Sequence, residues 1–465
     1  MKNIFVLFFI LRALPLYAEV ESPHILYINI DDLGIMDVGY NHSVFHTPNI
    51  DRLAKEGMVF TDAYAPAANC APSRAAVHSG QWSTRHGVYT VGNSDRGHTK
   101  TRKLVPIANR RTLPDTTFTM ASALKSAGYK TIHLGKYHIG PDPLTQGFDI
   151  NIGGNEAGGP RHGGYFSPWK GGAMEKFSAQ YPKGTHRMDV FADQCIRFMK
   201  AHLDRPMFIH LSPYSVHGRL EAIPGLVEKY DKAKVHPIYA SMVEKMDQCI
   251  GDVLKAIDEL GIKNNTLVVF SSDNGGICAI QSQSPYRAGK GSYYEGGIRK
   301  PMVVRWPNKI KAGSRCHTPV SSLDFYPTFL DIAQSTVPKN KILDGLSLMP
   351  LFTQSGSWPN RALYWHFPIY LQAYQKGRDG GRDPLFRTRP GSALRYGKWK
   401  LHEYFEDGVL ELYNLESDLG EQVDLSTSLP EKTTELKTML DQWREKTRGA
   451  VPTQLNPNFD PHFKD

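Results

Sequence analysis

A chain of 465 residues, 40% of them apolar, is longer than one hydrophobic core usually serves; this excludes an intrinsically disordered protein and points to one large domain with a smaller companion. The formal charge of +9 would favour polyanionic substrates but serves solubility equally well, so it selects no partner by itself. Five cysteines are too few for a disulfide scaffold, and with Cys70 set aside, Cys195, Cys249, Cys278 and Cys316 can pair or stay free.

At the amino end Lys2 precedes an apolar run over 4–16, interrupted only by Arg12 and followed by Tyr17-Ala18. This is the pattern of an export signal peptide over 1–18, cleaved near Ala18, which predicts a secreted or periplasmic protein and lowers the charge from +9 to +7 with the loss of Lys2 and Arg12. No later stretch offers the roughly 20 consecutive apolar residues of a membrane span, so no membrane anchor is expected.

Four β-rich runs, 24–30, 130–134, 206–211 and 266–270, each lead at once into polar or ionisable residues. They deliver Asp31-Asp32, then Lys136 and His138, then Tyr214 and His217, then Asp273-Asn274. Helices are predicted ahead of the last three runs, over 119–127, 189–203 and 238–260. Alternating strands and helices give an α/β fold with a mostly parallel central sheet flanked by helices. Ligands bind such sheets at the carboxyl ends of the strands, where all four polar clusters fall. A glycine-dense stretch over 153–172 reads as a long loop beside that edge. Composition changes near 350–360, after which 392–401 and 408–415 read as antiparallel strands and 430–447 as a closing helix. The predicted division is a catalytic domain over 19–355 and a smaller C-terminal α+β subdomain with an antiparallel sheet over 356–465.

Adjacent aspartates at a strand end repel unless a cation sits between them, and oxygen-only ligands suit a hard ion such as calcium or magnesium. Asp31 and Asp32 form half of such a site, and Asp273 and Asn274 complete it, with Gly275-Gly276 allowing close backbone approach. Either pair alone is more often a cap or turn. Both following buried strands, they favour the metal.

Around Cys70 the chain reads Asn69-Cys70-Ala71-Pro72-Ser73-Arg74, continuing to His78-Ser79-Gly80. Here it resembles the type I sulfatases of the alkaline phosphatase superfamily, whose Cys-x-Pro-Ser-Arg signature directs oxidation of the cysteine to formylglycine. His78 and Ser79 depart from the family's usual apolar residue and Thr, while the core through Arg74 is kept. The resemblance extends in order through Asp31-Asp32-Leu33-Gly34, Gly135-Lys136-Tyr137-His138 with Tyr in place of the usual Trp, Ser272-Asp273-Asn274-Gly275-Gly276, and the lysine loop around Lys290.

The resemblance implies an alkaline-phosphatase-like large domain and one Ca2+ bound by Asp31, Asp32, Asp273, Asn274 and the modified Cys70. It also implies catalytic roles for Cys70, Arg74, Lys136, His138, His217 and Lys290. His217 carries Arg219 two residues on, where the family commonly has proline, and competes with His210; its place after the strand end favours it, since a histidine inside a strand is more often packed. The loop over 153–170 and the turn Trp365-His366-Phe367-Pro368 offer aromatic faces for sugar rings, making His162, Tyr165 and His366 candidate substrate contacts, with loop packing as the plainer alternative. The expected partners are a sulfated glycan or oligosaccharide and a formylglycine-generating or radical maturation enzyme, with no nucleic acid. A broad arylsulfatase, a phosphatase or phosphodiesterase of the same superfamily, and a non-catalytic glycan-binding relative are the alternatives.

Overall fold

The computed structural model describes residues 22–42, 44–161 and 163–463; the expected signal peptide and His162 lie outside the described residues. The central sheet has eight strands. In chain order they are β1 (His24–Ile30), β2 (Met58–Phe60), β3 (Lys130–Gly135), β4 (Ile150–Ile152), β5 (Met207–Ser212), β6 (Thr266–Ser272), β7 (Met302–Arg305) and β8 (Ser314–Cys316). Their spatial order is β4-β3-β5-β1-β6-β7-β2-β8, and only β7 runs antiparallel to its neighbours.

All seven residues of β1 are buried, as expected of a central strand covered on both faces. The two-residue repeat of a strand divides them between two cores. Leu26, Ile28 and Ile30 pack with Phe191 of α4 (Arg187–Ala201) and Val243 and Ile250 of α5 (Pro237–Glu259), with α1 (Pro48–Glu56) on the same side. Ile25 and Tyr27 pack with Ala71 and Ala75 of α2 (Cys70–Ser79), Leu124 of α3 (Met120–Ser126) and Phe325 and Phe329 of α6 (Phe325–Ala333). The result is three layers, helix on sheet on helix.

The C-terminal sheet is antiparallel, in the order β9 (Ala362–Phe367), β10 (Gly391–Tyr396), β11 (Trp399–Tyr404) and β12 (Leu410–Asn414). The predicted strand over 392–401 is thus two strands, because Gly397 adopts φ +57 and turns the chain between them. Helix α7 (Pro430–Thr447) packs Leu436, Leu440 and Trp443 onto Leu394, Leu401 and Leu412 of this sheet. Lys400 on β11 reaches Glu295 among the large sheet's loops at 2.9 Å and Glu421, which follows β12, at 2.8 Å, all three buried. All five cysteines are free thiols, so none of the pairings left open by the sequence occurs. Among the described residues, no helix is long and apolar enough to cross a membrane.

Candidate active site

The four polar clusters meet at the carboxyl edge of the sheet, because hydrogen bonding between neighbouring chains continues past the strand ends. Asp31 N donates to Ser215 O at 3.0 Å, and Asp273 N donates to Ile30 O at 3.0 Å. Asp32 then turns with φ +62, and its N–H lies 3.2 Å from Asp273 Oδ1. Asn274 Nδ2 donates to Asp32 Oδ1 at 2.9 Å.

Cys70 opens α2 and is buried; its sulfur and carboxylate oxygens of Asp31 and Asp273 lie within 4.8 Å of one another. Ser73 fastens the helix start by donating to the Asp273 carbonyl. One turn into the helix, Arg74 Nε reaches Asp273 Oδ2 at 2.8 Å and Nη1 reaches the Lys136 carbonyl at 2.7 Å and the Ser212 hydroxyl. Lys136 Nζ is 2.7 Å from Asp31 Oδ2, and Lys290 Nζ is 2.6 Å from Asp32 Oδ2.

Three buried carboxylates therefore face three buried cations. Burial pushes Asp31 up to about 8 against the pull of Lys136. Burial also pushes Asp32 upward, but Lys290, His217 and Lys136 outweigh it and hold the group below the usual carboxylate range. The Cys70 thiol is raised by burial despite Lys136 and Lys290. Asp31 Oδ1 and Asn274 Oδ1 are buried without a hydrogen-bond partner, as is Arg74 Nη2. Orphaned oxygens beside converging carboxylates fit a hard cation of the calcium or magnesium type, whose ligands are oxygens.

His217 lies at the rim, Nε2 3.8 Å from Asp32 Oδ2 and about a quarter exposed, with its pKa lowered to about 3 by burial and by Lys290 and Lys136. His138 adopts φ +67 and is held well below the ordinary histidine range by burial and then by Lys136; its Nδ1 is buried and unpartnered. The glycine-rich loop crosses both: a Cβ on Gly158 would stand 2.7 Å from the His138 ring, and one on Gly159 would stand 3.5 Å from the His217 ring. His210 is buried, stacks on Tyr27 at 5.0 Å and meets His133 Nδ1 at 3.0 Å, so it is a packing residue.

Two predicted substrate contacts are corrected. Tyr165 is buried, its hydroxyl donating to the Tyr214 and His217 carbonyls at 2.7 and 2.8 Å. His366 is buried in β9, with Nδ1 2.8 Å from Ser392 Oγ and Nε2 2.9 Å from the Ala450 carbonyl. Trp365 and Phe367 beside it are buried too, so the expected turn is a strand of the small sheet's core. These aromatics pack the protein and leave no face for a sugar. Ser212 and Arg387 escaped the sequence reading: the first accepts from Arg74, and the second donates to the Lys290 carbonyl at 3.1 Å. Ser212 closes β5 and directly follows the apolar run 206–211, which is the signal the other site residues carry; Arg387 has none.

Residues 23–335 match the family described as Sulfatase. The chain belongs to that family. This sulfatase also matches, over residues 289–448, the family described as N-sulphoglucosamine sulphohydrolase, C-terminal. It is 30% identical to a sulfatase of Formosa agariphila, with 89% of this chain and 86% of that one covered. It is likewise 30% identical to arylsulfatase A of Homo sapiens, covering 96% and 92%. Among solved structures, Ps i-CgsB in complex with k-i-k-neocarrahexaose superposes with a TM-score of 0.73 at 29% identity, covering 94% of this sulfatase and 95% of that chain.

Proposed function

We propose that this sulfatase removes sulfate from a sulfated carbohydrate, a polysaccharide or its oligosaccharides, using a formylglycine made from Cys70 and one bound Ca2+. The observation that carries the reading is Cys70 at the start of α2, grouped with Asp31 and Asp273 beside the unpartnered oxygens of Asp31 and Asn274. The glycan substrate is favoured by the likeness to Ps i-CgsB bound to a neocarrahexaose. The proposal includes maturation by a formylglycine-generating or radical enzyme, export with cleavage near Ala18, and a division into domains at 355/356.

Asp31, Asp32, Asp273, Asn274 and the modified residue 70 would hold the calcium, which supplies positive charge to lower a hydroxyl pKa and draw in an anionic ester. Residue 70, once converted to a hydrated aldehyde, would offer two geminal hydroxyls, one as nucleophile toward sulfur and one whose proton His138 would take so that sulfate can leave. Arg74, with Nη2 unpartnered, is left to steady that hydrate. Lys136 and Lys290 turn to sulfate oxygens when their carboxylates serve a cation, neutralising charge that would repel the nucleophile. His217 gives a proton to the departing sugar oxygen; an anionic ester beside it favours the imidazolium that burial disfavours. His138, kept neutral by burial and Lys136, takes the proton from the second hydroxyl.

Mass analysis of the peptide containing Cys70 is expected to show a residue about 18 Da lighter than the thiol, since carbonyl replaces sulfhydryl. Sulfate release from carrageenan, ulvan, fucoidan and glycosaminoglycan fragments, compared with an aryl sulfate, tests the substrate. Turnover of the aryl ester alone would end the carbohydrate reading.

A further inference from the structure

Arg387 touches the Lys290 carbonyl at the edge of the Cys70 centre, and the segment that carries Arg96 lies against the loop that carries Arg387. Asp95 bridges Tyr370, Tyr370 N donates to Ser94 O at 2.8 Å, and a Cβ on Gly97 would meet the Phe386 ring at 2.7 Å. Arg102 braces the same segment, with Nη1 2.7 Å from the Gly97 carbonyl and its guanidinium 3.9 Å from Asp95.

Arg387 is buried beneath this segment. Its Nε donates to the Gln372 carbonyl at 2.9 Å, its Nη1 donates to the Lys290 carbonyl at 3.1 Å, and its guanidinium lies 3.4 Å from the Tyr374 ring centre. The Lys290 contact ties it to the residue whose ammonium reaches Asp32. Asp379 lies on the same loop, but its Oδ2 accepts from the backbone of Tyr374 and Gln375 and it forms no ion pair with Arg387. Arg96 makes no hydrogen bond or ion pair among the described residues. It is electrostatically coupled to its surroundings nonetheless: burial and then Arg387 depress it, while Tyr374 and Cys70 pull the other way.

Holding two cations side by side costs energy, and among the described residues no carboxylate pairs with either guanidinium. We propose that Arg96 and Arg387, next to Tyr374, form a second anion subsite that receives an additional sulfate group of a multiply sulfated glycan while the scissile sulfate occupies the Cys70 centre. The fork of Arg96 together with Nη2 of Arg387, whose Nε and Nη1 are held by backbone carbonyls, suits the three terminal oxygens of a sulfate ester, whereas one fork satisfies a planar carboxylate. The subsite rests on the sulfatase reading above and sharpens it: the substrate carries at least one further sulfate within a sugar unit or two of the one removed.

The test uses Cys70→Ala protein, so that no turnover intervenes, titrated calorimetrically with carrageenan-type tetrasaccharides and heparan-type disaccharides carrying one or two sulfates per repeat. The doubly sulfated member of at least one series is expected to bind about tenfold tighter or better, in keeping with a charge-assisted pair. Arg96→Gln in the same background is expected to reduce that preference to about threefold or less, with a melting temperature that does not fall, because the substitution relieves the repulsion from Arg387. No preference for the second sulfate in either series, or a preference that survives Arg96→Gln, overturns the subsite. Absence of sulfate release from every ester by the unsubstituted enzyme would instead sink the sulfatase reading, and the binding comparison would still stand.

Discussion

Lys400→Met removes the cation that joins the small sheet to the site-bearing loop. The ammonium lies 2.9 Å from Glu295 Oε1 and 2.8 Å from Glu421 Oε1, and His402 Nε2 is 3.2 Å from the same Glu421 oxygen, all buried. Glu295 retains Arg299 at 3.1 Å and the Tyr64 hydroxyl at 2.7 Å, so it is not stranded. Glu421 retains His402 and the Glu295 backbone N–H at 2.6 Å, a weaker set for a carboxylate. Breaking a buried pair from one side costs ~3–5 kcal/mol, and the partners that remain place the expected loss near the lower end, about 3 kcal/mol. That is a large part of the ~5–15 kcal/mol of a typical domain, yet it leaves the chain folded at 25 °C. Urea titration followed by tryptophan fluorescence measures it, with Lys400→Met/Glu421→Gln as the control expected to regain about 1 kcal/mol or more. The site should feel the change as well, because Lys290 N–Gly276 O at 2.7 Å and Gly275 N–Gly297 O at 2.9 Å fix the same loop to the Asp273 strand end. A destabilisation below about 1 kcal/mol would refute the reasoning, since it would mean the two carboxylates never depended on the lysine.

Chelation with EGTA is expected to lower the melting temperature and abolish turnover, with calcium restoring both; at a hundredfold excess over Kd a ligand contributes about 2.7 kcal/mol, so an unmoved melting temperature would count against the cation. Cys70→Ser should fold normally and lose sulfate release entirely, which steady-state assay and circular dichroism together would show. His217→Gln is expected to reduce kcat on a sulfated sugar about a hundredfold and far less on 4-nitrophenyl sulfate, whose leaving group needs little protonation; equal losses on both would remove His217 from proton donation. His78 is buried and lowered to about 3 by burial and then by Arg74, so below the ordinary value of 6.5 the unfolded chain takes up a proton that the folded one refuses, and stability falls as pH drops from 6.5 toward 3. His78→Leu should flatten that fall by about 1.4 kcal/mol per pH unit, read from denaturant midpoints between pH 6 and about 4.

The four strand ends could be read in advance because a fully buried parallel strand leaves an uninterrupted apolar run, and the change to Asp, Lys, His or Asn marks where it meets the ligand edge. Helix α7 occupies the expected 430–447. Strand β7 was harder: Met302–Arg305 is four residues long and runs against its neighbours, too brief for periodicity to register. Tyr165 and His366 are buried where the sequence reads as exposed, for a different reason. An aromatic residue in a glycine-rich or Pro-flanked stretch has the same composition whether it faces solvent or plugs a core, and only the tertiary fold distinguishes the two. Arg96 and Arg387 lie far apart in sequence and outside every motif; their meeting depends on the Asp95–Tyr370 bridge, which no local pattern announces.

Asp32 and His138 both sit in left-handed backbone conformations, at φ +62 and +67, at the ends of adjoining segments of the site. Each such residue costs of order 1–3 kcal/mol relative to glycine or a relaxed turn, and the cost is sustained by the rest of the fold. Glycine at 138 would therefore relax the backbone while disarming the site, whereas glycine at 32 would strand the buried Lys290 ammonium 2.6 Å away, at ~3–5 kcal/mol, more than the strain it relieves. Lineages in which the chemistry fell out of use should drift toward glycine at 138 sooner than at 32, where a buried lysine holds the carboxylate in place.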